Sequence, residues 1–397
     1  MDTIREMLHV DDDWKVLLSF LPESWQSLAK ETGALLRNKK FTPESLLRSL
    51  LIHLADGCSL RETSARTTQG DIAKVSDVAL LKRLNASGEW FRQMSLRIRK
   101  KWVTQPEETL FCSEYRVRLI DGSTVSEPGA TGSTWRIHYS VQLSNLQCDE
   151  VHVTSTSVGE SFGLFAVSPN DLLVGDRGFG TRPNIRYVTD HDGFVLTRIN
   201  AVSLPPHLPE GGRFELLPHL RTLDSTKTGD WDVMVICNDG VKINGRVCAI
   251  KKTKEAALIA KEKATRESKK KGHTIKPETI ESAEYTFVFT TLPQTCSAPV
   301  VLETYRARWQ IELVFKRLKS LLGLGHLRKM DLEGAKAWLH GKLFVAILIE
   351  SMVSCGETFS PWGYPTPKSQ TSSIFIQIIK VPSRHMSLLE FNVCSHP

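Results

Sequence analysis

Tyr305-Arg306-Ala307-Arg308-Trp309-Gln310-Ile311-Glu312-Leu313-Val314-Phe315-Lys316-Arg317-Leu318-Lys319 is the stretch on which the fold turns. Tyr305, Arg308, Glu312 and Lys319 stand at steps of three, four and seven. At roughly 100° per residue, those steps put all four on one narrow face of a helix, and Lys316 joins them. Ile311, Val314, Phe315, Leu318 and Leu322 form a neighbouring apolar stripe that can pack on a sheet. The pattern predicts a helix starting near Pro299 and running to about Leu322, one side anchoring it and another presenting a carboxylate among cations. A surface helix laced with i,i+4 ion pairs shows similar spacing, so the stretch needs partners elsewhere.

Two aspartates supply them. Tyr115, Val117 and Leu119 alternate with Arg116 and Arg118, a strand pattern expected to stop at Asp121, before Gly122-Ser123. The short apolar run Leu172-Leu173-Val174 leads into Gly175-Asp176, followed by Arg177-Gly178. Acidic side chains at strand ends beside glycine point out of the sheet edge into a crevice. Each alone is ordinary turn chemistry. Together with Glu312, Asp121 and Asp176 make a three-carboxylate metal site, with hard oxygen donors that suit Mg²⁺ or Mn²⁺ rather than zinc.

The 305–319 run resembles the Tyr-x2-Arg-x3-Glu-x6-Lys signature of bacterial DDE transposases of the insertion-sequence-four type. Asp121-Gly122-Ser123 and Asp176-Arg177-Gly178-Phe179 resemble that family's other two acidic motifs. The run Ser76-Asp77-Val78-Ala79-Leu80-Leu81-Lys82-Arg83-Leu84 is also similar to such proteins. The resemblance covers roughly residues 40–350. It implies an α/β fold: a ribonuclease-H-like mixed sheet flanked by helices, with a β-rich insertion between the second Asp and the Glu. It implies divalent-metal-dependent cleavage and strand transfer at insertion-sequence ends, by cut-and-paste and through hairpin ends where that route applies.

On this reading Asp121, Asp176 and Glu312 hold two ions about 3.5–4 Å apart, Mg²⁺ or Mn²⁺, for in-line phosphodiester displacement. Tyr305, Arg308 and Lys319 are expected to grip phosphates near the cleavage site. Tyr285 stands where relatives place an aromatic that holds a flipped base; the alternative is a strand residue packed in the insertion. Trp309 is expected to pack against the core. The partners are double-stranded DNA, as terminal inverted repeats and target, and a second copy of the chain in a synaptic complex.

The flanking sequence divides around this centre. Residues 1–106 read as helical. Thr42-Pro43 opens a helix carrying Leu46, Leu47, Leu50, Leu51 and Leu54, with Gly57 to end it. Ser59 and Glu62 have capping-box spacing, and Ser76 starts a helix with Leu80, Leu81 and Leu84 inward. Arg97, Arg99, Lys100 and Lys101 gather beside Trp102 at its end. These helices read either as a helix-turn-helix-like end-binding unit, with Lys82 and Arg83 toward DNA, or as a bundle with ordinary surface charges.

Residues 107–200 begin the catalytic core. Trp135, Ile137, Tyr139, Val141 and Leu143 alternate as a strand, Val151 and Val153 suggest another, and Phe194-Val195-Leu196 a further one after a helix near 185–189. Residues 201–298 form the insertion, with strand-like runs at 233–236, 247–250 and 285–291. Its Lys- and Glu-rich run, 251–276, is a solvated helix or loop, or a direct DNA contact. Residues 299–350 complete the core. From Ser351 to 397 the Pro- and Ser-rich sequence departs from the family's closing helices, as a frameshift or truncation would leave it.

The totals agree with this outline. At 397 residues the chain has room for two or three domains, and its net charge of +7 has the sign a polyanionic partner favours. Cysteines 58, 112, 148, 237, 248, 296, 355 and 394 form no Cys-x-x-Cys pair, so zinc and thioredoxin motifs are unsupported. The acidic N-terminus does not read as a signal peptide, and the 343–349 apolar run is too short for a bilayer and reads as a core helix. A cytoplasmic, nucleoid-associated protein is expected. Two other readings stay open: a ribonuclease-H-like nuclease that cuts without joining, and a catalytically silent DNA-binding remnant.

Overall fold

The computed structural model describes residues 10–37, 40–102, 114–129, 132–199, 204–224, 226–270, 272–325, 327 and 331–358. Six helices open it: α1 (Val10–Phe20), α2 (Trp25–Glu31), α3 (Pro43–Leu54), α4 (Leu60–Gln69), α5 (Asp77–Ala86) and α6 (Gly88–Trp102). Thr42 caps α3 by accepting from the Ser45 N–H, and the Ser45 hydroxyl accepts from the Thr42 N–H in return. Ser59 and Ser76 accept from the N–H groups of Glu62 and Ala79 and so start α4 and α5. Leu46, Leu47, Leu50 and Leu54 are buried, as their spacing predicts, while Leu51 is half-buried.

Next comes a mixed sheet. Its strands are β1 (Arg116–Val125), β2 (Trp135–Gln142), β3 (Cys148–Ser155), β4 (Asp171–Gly175) and β5 (Phe194–Arg198), with α7 (Arg182–Thr189) joining the last two. They lie in the order β3-β2-β1-β4-β5. β1 runs antiparallel to β2 and parallel to β4, and β4 is parallel to β5. Alternation sorts the side chains onto two faces. Val117, Leu119, Leu172 and Val174 join one core, Ile120 and Leu173 another. The expected mixed sheet flanked by helices is therefore present. One expectation needs correcting: β1 does not stop at Asp121. It continues to Val125 because β2 pairs with it along that whole length, and Asp121 itself sits opposite Tyr139. The pairing that does stop, just before Asp121, is the one with β4.

The insertion contributes β6 (Pro206–His207), α8 (Leu216–Arg221), β7 (Thr228–Ile236), β8 (Lys242–Lys251), α9 (Lys254–Lys270), α10 (Pro277–Ser282) and β9 (Tyr285–Thr290). Its strands extend the same sheet. β9 pairs antiparallel with β5, and β8, β7 and β6 follow outward to make nine strands among the described residues. The Lys- and Glu-rich run is the helix α9, anchored by buried Ala256 and Ala260 and by a 2.6 Å ion pair from Lys261 to Glu284.

Three helices close the described chain: α11 (Ala298–Arg306), α12 (Trp309–Leu321) and α13 (Leu332–Thr358). The single helix predicted from Pro299 to Leu322 is thus broken in two. At the break Arg308 N–H bonds to Tyr305 C=O, and Gln310 and Ile311 N–H bond to Ala307 and Arg308 C=O. These are i−3 bonds, which tighten the turn into 3₁₀ geometry.

The helical pattern also runs beyond Ser351, to Thr358, and the proline-rich remainder lies outside the described residues. Leu332–Cys355 is long and apolar enough to cross a membrane by length and composition. Most of it is nonetheless inside the fold. Trp338, Leu339, Leu343, Phe344 and Ile347 are buried, and Phe344 stacks on Phe91 of α6 at 5.4 Å. A Cβ on Gly88 would stand 3.1 Å from the Cα of Ala337, so α6 and α13 touch backbone to backbone. The expected core helix is this one, and it fixes the N-terminal helices to the mixed sheet in one shared core.

Candidate active site

The register of β1 against β4 builds the site. Leu119 lies beside Val174 in the parallel ladder. Asp121 follows Leu119 by two residues within β1 and so shares its face, and Asp176 comes just past the end of β4, near enough that its charge raises the Asp121 pKa. That face is covered by α11 and α12: Val301, Ile311, Val314 and Phe315 belong to the same buried cluster as Leu119 and Val174. Each aspartate is held locally. The Gly122 N–H donates to Asp121 Oδ1 at 2.8 Å, and the Gly178 N–H to Asp176 Oδ1 at 2.7 Å. The Thr197 hydroxyl on β5 donates to the Asp176 carbonyl at 2.6 Å.

Glu312 enters from above. It sits in the first turn of α12, next to fully buried Ile311. Phe315, one turn on, meets Tyr139 of β2 edge to face at 6.0 Å. Arg308 links helix to strand: its Nη2 donates to Glu312 Oε1, and its Nη1 stands 3.6 Å from Asp121 Oδ2. The 3₁₀ turn brings residues i and i+3 into eclipse. This puts the Tyr305 hydroxyl against the Arg308 guanidinium.

The charges feel one another. Burial pushes the Asp121 carboxyl up to about 7, Asp176 and Glu160 push the same way, and Arg308 and the Gly122 N–H oppose them. Burial works against the charge on Arg308, but Tyr305, Glu312 and Asp121 outweigh it and hold the guanidinium protonated. Burial also raises the Tyr305 phenol, against the pull of Arg308 and Arg198.

The donor set fits a hard divalent cation: carboxylate oxygens with no sulfur or imidazole among them. As the side chains stand, no three Asp, Glu, His or Cys residues among those described converge tightly enough to ligate one ion. One guanidinium, that of Arg308, spans Asp121 and Glu312. A positive charge therefore lies between these two carboxylates.

The other expected residues are distributed as follows. Lys319 and Lys316 are exposed on α12, and Trp309 is half-buried. Lys82 is exposed on α5, but Arg83 donates from Nη1 to the Ala34 carbonyl at 3.0 Å, which ties it into the helical region. Tyr285 opens β9. It is only 4 % exposed, packed with Leu220, Leu223 and Ala249, with Lys251 Nζ 5.6 Å from its ring centre. That burial favours, of the two roles considered, the strand residue packed in the insertion.

Three residues escaped the sequence reading. Glu160 lies between β3 and β4, and its carboxylate raises the pKa of Asp121. Arg177 follows Asp176 directly, and Arg198 ends β5; the two are close enough that Arg198 lowers the Arg177 pKa, after burial. Arg177 was readable as part of an Asp-Arg-Gly motif. Glu160 and Arg198 carry no periodic signal at all.

Comparison with known proteins points the same way. Residues 113–348 match the family model of the transposase DDE domain. The chain is 36% identical over 365 residues to the putative transposase InsL for insertion sequence element IS186A of Escherichia coli K12, covering 89% of this chain and 98% of that one. It is 35% identical over 366 residues to the transposase for insertion sequence element IS421 of Escherichia coli, with the same coverage. A shorter match, 45% over 51 residues, is to the transposase for insertion sequence element IS231F of Bacillus thuringiensis subsp. israelensis.

Proposed function

The chain belongs to the DDE transposase family, and from its geometry we propose that Asp121, Asp176 and Glu312 are the catalytic carboxylates. It is a DNA-cleaving and strand-transferring enzyme that depends on divalent metal. The observation that supports the residue assignment is the matched step past Leu119 and Val174 to Asp121 and Asp176, with Arg308 reaching from Asp121 to Glu312.

In this reading the three carboxylates hold two ions, Mg²⁺ or Mn²⁺. When bound, such ions activate the attacking oxygen and stabilise the leaving one during in-line displacement. The protein positions the DNA and balances charge. Arg308 rotates off Glu312 and turns to a phosphate oxygen, a task its planar fork suits. Tyr305 steadies that guanidinium, Lys319 meets the backbone further along α12, and Arg177 and Arg198 extend the cationic lip beside Asp176.

The substrates are insertion-sequence ends and target DNA. Exposed Lys82 and the helices of residues 1–106 contact the ends, and two chains pair in a synaptic complex. Cleavage proceeds by cut-and-paste, with hairpin ends where the freed 3′-hydroxyl attacks the opposite strand. The work takes place in the bacterial cytoplasm, on the nucleoid.

Strand transfer separates this function from simple nuclease action. Purified protein, pre-cut element ends and supercoiled target should give joined product in Mg²⁺. Nicking of the ends with no joining, under conditions where the ends are bound, would favour a nuclease instead.

A further inference from the structure

The insertion reaches the edge of the sheet where Asp176 lies. The parallel ladder of β4 and β5 ends with Gly175 beside Thr197, so Asp176 and Arg198 are the next residues of the two chains. Arg198 lies opposite Val288 of β9, and Val288 opposite Cys248 of β8. Both insertion strands continue three residues past that level, to the pair Lys251 and Tyr285. At ~3.3 Å per residue, the crossover from β8 to β9 therefore starts roughly 10 Å beyond the level of Asp176, on the same edge.

Lys252 is the first residue of that crossover, and it is held in place. Its backbone N–H donates to the Glu284 carbonyl at 2.9 Å and its Nζ to the Ala283 carbonyl at 2.8 Å. An ammonium has three donors, so two remain. Among the described residues no carboxylate pairs with Lys252 or Arg198; Glu284 pairs instead with Lys261 at 2.6 Å. Burial and the Arg198 charge lower the Lys252 ammonium to about 8, and Arg198 acts on the Tyr305 phenol as well. Lys252 thus neighbours Arg198, and Arg198 neighbours the signature stretch. Two cations held close repel, and an anion between them relieves the repulsion. We propose that Lys252 binds a phosphate of the DNA backbone next to the cleaved bond and shares it with Arg198. The position of that bond rests on the carboxylate reading above. The competing role is structural: a lysine closing the end of α10, whose C-cap is Ala283.

The test is binding of the full chain to a duplex of the element's own pre-cut end, over a salt series and without metal. Wild type, Lys252→Gln, Lys252→Arg, Arg198→Gln and the double variant Lys252→Gln with Arg198→Gln are compared, each checked for folding by thermal melting. Lys252→Gln keeps a donor for the Ala283 carbonyl but carries no charge. It should bind several-fold more weakly and reduce the slope of log affinity against log salt by about one, while Lys252→Arg stays near wild type. The double variant should lose less than the two single variants added together, because both cations serve one phosphate. A methylphosphonate, which neutralises one phosphate, is then walked along the end. At one position within about three nucleotides of the cleaved bond it should weaken wild type and leave Lys252→Gln unchanged. Arg198 is exposed, so Arg198→Gln reads the same phosphate if Lys252→Gln does not fold. Wild-type affinity and slope in folded Lys252→Gln would overturn the proposal, and so would a sensitive phosphate far from the cleaved bond. Cleavage at the wild-type rate by Asp176→Asn would instead overturn the carboxylate reading, whatever Lys252 binds.

Discussion

Arg308 Nη1 stands 3.6 Å from Asp121 Oδ2, while the same guanidinium bonds to Glu312. A cation from the signature stretch thus lies between two of the carboxylates proposed to hold metal. If those carboxylates bind the ion, Arg308 and a divalent ion compete for them when no DNA is bound. Arg308→Ala should therefore bind Mn²⁺ several-fold more tightly than wild type, yet lose roughly 10²-fold or more in end cleavage, because a donor to the reacting phosphate is gone. Calorimetry and single-turnover cleavage read the two effects separately. Unchanged or weaker Mn²⁺ binding would mean that Arg308 is no competitor.

Behind the site, Arg118 is 2 % exposed and bound to Asp149, Glu150 and Asp171 at 2.6, 2.9 and 3.1 Å. Asp171 is itself 1 % exposed, and Arg116 pairs with it as well. Removing one partner of a buried ion cluster strands the others. Asp171→Ala should cost about 3–5 kcal/mol in urea unfolding, since β4 and β1 lose their shared anchor. A cost below about 1 kcal/mol would show that the cluster contributes little.

Glu350 predicts a pH dependence of stability. Burial pushes its carboxyl up to about 7, against donation from the Cys148 N–H and the Tyr139 hydroxyl. The folded chain therefore keeps this proton over a range where the unfolded chain, with an ordinary value of 4.5, has released it. The contribution is full below pH 4.5 and is lost as pH rises through about 7. Glu350→Gln should melt like wild type at pH 4 and exceed it at pH 8 by on the order of 1–3 kcal/mol. An equal difference at both pH values would contradict the assignment.

Packing of Tyr285 makes a further claim. Tyr285→Phe should leave end cleavage and hairpin formation close to wild type, because the ring rather than the hydroxyl fills the core beside Leu220 and Leu223. Tyr285→Ala should cost about 3–5 kcal/mol through the cavity it leaves. A Tyr285→Phe variant that unfolds normally but makes far less hairpin would restore a role in handling DNA.

Much of this was legible in the sequence because the signals are local. Thr42, Ser59 and Ser76 cap helices where their spacing says so, and alternation in 135–143 marks β2. The two aspartates could be suspected from strand-then-glycine patterns. Their being neighbours could not, because the parallel pairing of β1 with β4 joins segments some fifty residues apart. The break at Ala307-Arg308 was hidden because both are acceptable helix residues and tertiary packing decides the turn. Asp121 looked like a strand end because only the β4 ladder ends there. Glu160 was invisible: what marks it is its nearness to Asp121, which exists only in three dimensions. Arg83 and Tyr285 look free to meet DNA in one dimension and find partners within the fold.

The most direct measurement is Mg²⁺-dependent cleavage of the element's own ends by wild type, Asp121→Asn, Asp176→Asn and Glu312→Gln, with DNA binding followed in parallel. The account predicts that each variant folds and still binds the ends while cleavage drops below detection. Cleavage at the wild-type rate by any folded variant of the three would contradict a shared metal site.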